Sequence, residues 1–342
     1  MKNFITYILV IAALLSCDNG QQLSNDNGEP IAFGRVMEDA TRAGDGNDSD
    51  FTAFKVWGTA GNVLIYDGNT VSKVDGDWNC DKIQFWVPDA LYNFTAVVGA
   101  GVTAKNGYGM PVELEYETET QKDMCYAKAT ATGKKSGNTK VFFNFNHVLA
   151  RLGFTMTASV AENAITTGVK ARFRVTKITL SPVGGGEGPF YSKASFDLGN
   201  SYKWDTSDSE KSVGFELGAA SFSSANNSGL ILTQAENEAS IQVNGDDRFV
   251  MLIPQDLSAD GFDVSIEYEV TLLGKNKESG EYDVAYNQYT NHGGGTVKLN
   301  FQQNKSYMIN FNVGLEETTV DEHISMTEWV ETEEIIINGI VS

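Results

Sequence analysis

The sequence predicts an all-β protein built from two β-sandwich domains in tandem. Three observations carry that expectation. From residue 51 onward, short runs rich in aromatic and β-branched side chains alternate with turns rich in glycine, asparagine and aspartate. Between 262 and 272 every even position is apolar (Phe262, Val264, Ile266, Tyr268, Val270, Leu272) and every odd one polar (Asp263, Ser265, Glu267, Glu269, Thr271). A period of two marks a strand with one buried face and one wet face. No long window carries a 3.6-residue period, so helices are not expected to build the core.

The chain opens on an export leader. Lys2 supplies a small positive charge, and residues 4–15 form an apolar run too short to cross a bilayer as a helix. The run ends Leu14-Leu15-Ser16-Cys17, which resembles a bacterial lipoprotein box. In such boxes the signal, here residues 1–16, is cut before the cysteine and the Cys17 thiol is acylated. Each buried acyl methylene strengthens the anchor by about 0.8 kcal/mol.

Residues 18–29 are polar and read as a flexible tether. Residues 30–36 (PIAFGRV) read as a short strand with Ile31 and Phe33 on one face and Val36 at its end. The loop that follows contains Thr41-Arg42-Ala43. Arg42 between small residues in a soft acidic loop is where a trypsin-like protease would cut, before Ala43. The acidic run 45–50 looks at first like a calcium loop. Asp50 stands where the turn glycine is required, and Val56 where the bidentate glutamate belongs, so the run reads as a solvated linker.

In the body, strands are expected at FKVWG (54–58), NVLIYDG (62–68), KIQFWVP (82–88) and YNFTAVVG (92–99). CYAKATAT (125–132), KVFFNF (140–145), ARLGFTMTASV (150–160) and ARFRVTKITL (171–180) follow. FVMLIP (249–254), TVKLNF (296–301) and YMINFNV (307–313) complete the set. A glycine-rich interruption at Pro182 sets the expected domains at 43–182 and 183–342. As a phosphate cradle that interruption lacks the P-loop lysine and the helix after it, so it reads as a turn or hinge.

The net charge of −20 excludes the basic footprint that nucleic-acid binding needs. It also argues against direct docking on an anionic membrane surface. Beyond Cys17 the chain has Cys80 and Cys125, which either form one disulfide or stay as two buried thiols; their spacing does not decide. No CxxC motif or Cys/His cluster is visible, so neither a metal site nor a cofactor is expected. His147 lies between apolar stretches and reads as a hydrogen-bonded structural residue, His292 as the start of a glycine turn, and His323 as part of an acidic loop. No nucleophile elbow appears, and acidic pairs such as Glu316-Glu317 are commonplace in so acidic a chain. No catalytic residue is assigned, and the chain is not read as an enzyme.

At the C-terminal end Ile335, Ile337 and Val341 fall on one strand face, Ile336 and Ile340 on the other. An apolar strand at a chain end is an aggregation hazard unless it has a place to go. Burying four such residues would contribute about 6–12 kcal/mol before ordering costs. The tail is therefore either a strand donated to a neighbouring copy or the last strand of its own domain.

These features in order resemble the fimbrillin family, the Mfa-like and major-subunit group that builds type V pili in Gram-negative anaerobes. The resemblance rests on LLSC, on Ile31-Ala32-Phe33 ahead of Thr41-Arg42-Ala43, and on FKVWG. It continues with FNHVLARLGF (145–154), LNF (299–301), KSYMI (305–309) and ISMTEW (324–329). It implies two Greek-key, transthyretin-like β-sandwiches, lipoprotein export to the outer membrane through the lipid, and cleavage between Arg42 and Ala43. The removed strand would be Ile31 to Val36, and the donor Ile335, Ile336, Ile337, Ile340 and Val341. The implied partners are other fimbrial subunits, a trypsin-like maturation protease, and host or bacterial surface ligands. A tip or anchor position in the fimbria is also open. The rival reading is a monomeric surface lipoprotein that binds glycan through exposed aromatics such as Trp78 or Trp204.

Overall fold

The computed structural model describes residues 28–35, 51–99, 103–107, 109–161, 164–165, 168–186, 188–218, 222, 229–233, 238–243, 249–315, 318–328 and 335–336. Among them the structure is all-β, and the one helical element is the 3-10 turn Thr118–Thr120.

A six-stranded sheet runs in the order Asn146–His147, Cys125–Thr132, Leu91–Val98, Ala53–Ala60, Val63–Val74, Asp77–Cys80. One face presents Phe54, Val56, Tyr92, Phe94 and Ala96 to an aromatic core shared with Trp86 and Phe143. The other face sends Trp57 and Val97 into a second core with Leu114, Tyr116 and Phe196. Leu114 and Tyr116 come from Met110–Glu117, which pairs with Lys193–Asp197. Both faces of this sheet are thus covered, which is why FKVWG reads as nearly continuous apolar sequence and not as clean alternation.

The third core lies between two further sheets. In one, Ala150–Ser159 runs parallel to Lys305–Val313 and antiparallel to Glu238–Gln242 and Val250–Leu252. In the other, Val169–Ser181 and Phe262–Lys275 pair antiparallel. Phe262, Val264, Ile266, Tyr268 and Val270 point into that core as the alternation predicts. The polar face is wet only at its start. Glu269 and Thr271 are buried because Arg174 and Gln288 reach over Glu269, and the Thr271 hydroxyl donates to its carboxylate.

Several expectations are corrected. The break at Pro182 does not separate cores, because Ala150 through Leu180 pack with residues 250–313. The glycine-rich stretch is a turn, closed by Gly185 N–H on the Pro182 carbonyl, and the chain re-enters the same core at Phe190. KIQFWVP is not a regular strand; it makes a single bridge, Pro30 with Phe85. His292 precedes no turn. It lies inside the strand Tyr282–Val297, where Gly293, Gly294 and Gly295 pair with Ile266, Ser265 and Val264. A Cβ on Gly294 would stand 2.3 Å from the Val264 carbonyl oxygen, so close strand approach explains a glycine that composition alone assigns to a turn. His323 belongs to the strand Thr318–Glu328 and not to a loop.

Candidate functional site

The segment 28–35 lies in a slot beside the aromatic core. Its backbone is held on both sides. Ile31 N–H donates to the Gln84 carbonyl at 2.8 Å, and Trp86 N–H donates to the Glu29 carbonyl at 3.0 Å. On the other edge Val141 N–H donates to Ala32 at 2.8 Å, and Phe33–Arg35 pairs parallel with Val141–Phe143. The alternation of PIAFG sends Ile31 and Phe33 inward, at 6% and 1% exposure. The Phe33 ring meets Tyr66 at 5.3 Å, Phe94 at 5.7 Å and Phe143 at 5.8 Å between centroids. Each of these two burials contributes about 1.5–3 kcal/mol gross.

Glu29 closes the outer end of the slot. Its Oε1 accepts Gly137 N–H at 2.8 Å, and its Oε2 accepts Asn138 N–H at 2.7 Å and Asn138 Nδ2 at 2.9 Å. The Gly137 and Asn138 backbone bonds, helped by the Asn138 amide, hold the carboxyl below the ordinary carboxylate range. The segment is therefore a two-stranded addition that no larger sheet claims. What it covers is an apolar groove whose two backbone edges, at Gln84–Trp86 and Val141–Phe143, bond to the segment, which is the chemistry that accepts an extended peptide.

The other expected sites divide. Ile335–Ile336 pairs with Thr318–Glu328 through Ser325 and Met326, on the edge of its own chain's sheet. That is the placement left open beside donation. Cys17, residues 18–27 of the tether, Val36, Arg42, Ala43, the acidic run 45–50, Trp329, Ile337, Ile340 and Val341 lie outside the described residues. The end of the expected flexible tether is corrected: Glu29 is fixed on Gly137 and Asn138.

The disulfide option is corrected. Cys80 and Cys125 are not joined in a disulfide, and their strands stand at positions separated by three intervening strands. Four ladder spacings amount to roughly 19 Å, against a Cα separation of about 4.4–6.8 Å across a disulfide. Burial pushes the Cys80 thiol up. Trp78 and Trp204 are not exposed platforms either. Trp78 packs on Phe51 and Phe54, while Trp204 packs on Phe196 and gives its indole N–H to the Val148 carbonyl at 2.6 Å.

A cluster that sequence reading missed lies where Cys125–Thr132 meets Asn146–His147. His147 is the ladder partner of Cys125, and Asp123 precedes Cys125 by two positions, on the same side of an extended chain. His147 Nδ1 lies 2.8 Å from Asp123 Oδ2 and 3.2 Å from Cys125 Sγ, and the Cys125 thiol lies 3.0 Å from Asp123 Oδ2. Burial would push the Asp123 carboxyl up. The charge of His147 and hydrogen bonds from His147, Cys125 and Met124 N–H outweigh it and hold the group below its usual range. The expectation that no Cys/His cluster exists is overturned. The His147 reading, a hydrogen-bonded histidine, describes its contacts correctly.

Residues 41–329 match the family model for fimbrillin-like proteins. Among solved structures, a fimbrial protein from Bacteroides vulgatus aligns with a TM-score of 0.56 and 15% identity, over 81% of this chain and 93% of that one. A proposed cell adhesion protein from Bacteroides uniformis aligns with a TM-score of 0.44 and 13% identity, over 90% of this chain and 100% of that one. No curated protein matches the chain. A family match that runs through every core described above, on a fold shared with a fimbrial protein, leads to one conclusion: the chain belongs to the fimbrillin-like family.

Proposed function

We propose that the protein is a structural subunit of a cell-surface fimbria, exported as a lipoprotein through Cys17 and matured by cleavage between Arg42 and Ala43. Its subunits then polymerise by β-strand donation. The observation that carries this reading is the docking of Ile31 and Phe33, both ahead of Arg42 in the chain, in a groove lined by Tyr66, Phe94 and Phe143. A cut at Arg42 followed by loss of the segment would leave those rings and two backbone edges unsatisfied. An incoming strand with apolar residues at alternate positions would restore both. The tail of a neighbouring copy offers that pattern in Ile335, Ile337 and Val341, with Ile336 and Ile340 on the opposite face.

In this reading Ile335–Ile336 leaves the sheet edge where it pairs with Ser325 and Met326 and joins a ladder in the neighbouring copy. The role is structural, with the outer membrane reached through lipid and adhesion to host or bacterial surfaces exercised by the polymer. A trypsin-like protease is the maturation partner.

Low-dose trypsin on the purified precursor tests the scheme. The expected result is a cut after Arg42 followed by a ladder of multimers, with Arg42→Gln chains uncut and monomeric. Deleting residues 333–342 should leave cut, folded monomers. Cleanly cut chains that stay monomeric with an intact tail would overturn the scheme.

A further inference from the structure

We propose that Asp123, Cys125 and His147 form a binding site for a thiophilic divalent cation, zinc foremost. The three side chains bring one oxygen, one sulfur and one nitrogen to a common point, at separations of 2.8, 3.0 and 3.2 Å. Carboxylate, thiolate and imidazole are the ligands zinc takes, at about 2.0–2.3 Å each. A tetrahedral ion at those lengths spaces its ligand atoms about 3.3–3.8 Å apart, so the cluster needs to open by less than about 1 Å.

The backbone has already aimed the donors. Met124 N–H occupies Asp123 Oδ1 at 2.7 Å, which leaves Oδ2 for the site. The Met124 side chain goes the other way, fully buried in the core, and the Val148 N–H bond to the Met124 carbonyl fixes the strand beside it. The ladder then sets His147 opposite Cys125. These are the supports that outer-shell contacts give to metal ligands.

A nucleophile relay does not fit the same atoms. In a thiol–imidazole–carboxylate relay the ring joins its partners through its two different nitrogens. Here the thiol and the carboxylate both face Nδ1. Three donor atoms crowded at one place, and not strung in a row, are the arrangement a single cation satisfies. On binding, the thiol proton leaves to solvent and the sulfur coordinates as thiolate. Three protein ligands leave the fourth position open. The site lies where the chain passes from the six-stranded sheet to the Ala150–Ser159 strand, so the ion would staple that crossing.

Cobalt(II) serves as the spectroscopic probe, added to the reduced full-length chain. The expected result is one cobalt per chain with a thiolate-to-metal charge-transfer band, displaced by one equivalent of zinc. The band should vanish in Cys125→Ser, weaken at least tenfold in apparent affinity in His147→Gln, and persist in Cys80→Ser and Cys17→Ser. Absence of the band in the wild-type chain, or its survival in a folded Cys125→Ser chain, would overturn the proposal. The wild-type titration decides the matter even if a variant misfolds.

Discussion

Glu29 and Asn138, 109 positions apart, are joined by two hydrogen bonds, from the Asn138 backbone at 2.7 Å and its side-chain amide at 2.9 Å. With the Gly137 bond they form the only side-chain clasp on the docked segment among the described residues. Glu29→Gln exchanges one acceptor oxygen for an NH2 group that faces N–H donors, so at least one of these bonds is lost. The segment should loosen locally while the cores hold. Amide exchange at Ile31, Trp86 and Val141, whose N–H groups tie the segment, is expected to quicken severalfold with little change in the global unfolding midpoint. An unchanged exchange rate would show that Glu29 does not clasp the segment.

The same clasp predicts a pH dependence. Glu29 has its docked pKa lowered below the ordinary 4.5 by the backbone N–H groups of Gly137 and Asn138. A depressed pKa means the charged form favours docking. The contribution is whole above pH 4.5, the undocked value, and fades as pH falls through the lower docked value. Asp197, held to about 2 by the Ser201 hydroxyl and nearby N–H groups, titrates lower still and steadies a different turn. Exchange at Ile31 and Val141 should therefore accelerate below about pH 4.5 in the wild type, and this acid step should be missing in Glu29→Gln.

Phe33→Ala separates a permanent core residue from a temporary one. The ring is 1% exposed and touches three aromatic neighbours, so truncation should cost the intact chain about 3–5 kcal/mol. If the segment departs after cleavage at Arg42, the cut wild-type and cut variant chains should unfold at the same urea concentration. An equal deficit before and after cutting would mean that the segment stays bound.

Much of this fold is written in short-range pattern. Period-two runs such as Phe262 to Tyr268 and the Ile31/Phe33 pair declare their buried faces because one side of a strand meets the core. What stayed hidden depends on which strands become neighbours. KIQFWVP has strand composition, yet its backbone is spent on the docked segment. Tyr282–Val297 carries a glycine triplet in which Gly294 meets close strand approach, yet the triplet reads as a turn. Cys125 and His147 are 22 positions apart, and only the ladder register sets them face to face with Asp123. The Pro182 break misleads because glycine-rich composition marks any sharp turn, whether or not a core ends there.

Gln121 shows how residues distant in sequence are locked across the second core. Its side chain imitates a strand, with Met251 N–H donating to Oε1 at 3.0 Å and Nε2 donating to the Met251 carbonyl at 3.0 Å. A third bond, from Nε2 to Thr118 at 2.8 Å, steadies the 3-10 turn, and the residue holds a left-handed backbone at φ 47°. Met251 is buried, so its N–H has no water to turn to. Gln121→Ala strands that donor and should cost about 1–3 kcal/mol in urea unfolding. Gln121→Gly relieves the left-handed strain but leaves the same donor stranded, so it should recover only part of the loss. A glycine variant as stable as wild type would mean that backbone strain, and not the paired bonds to Met251, governs this position.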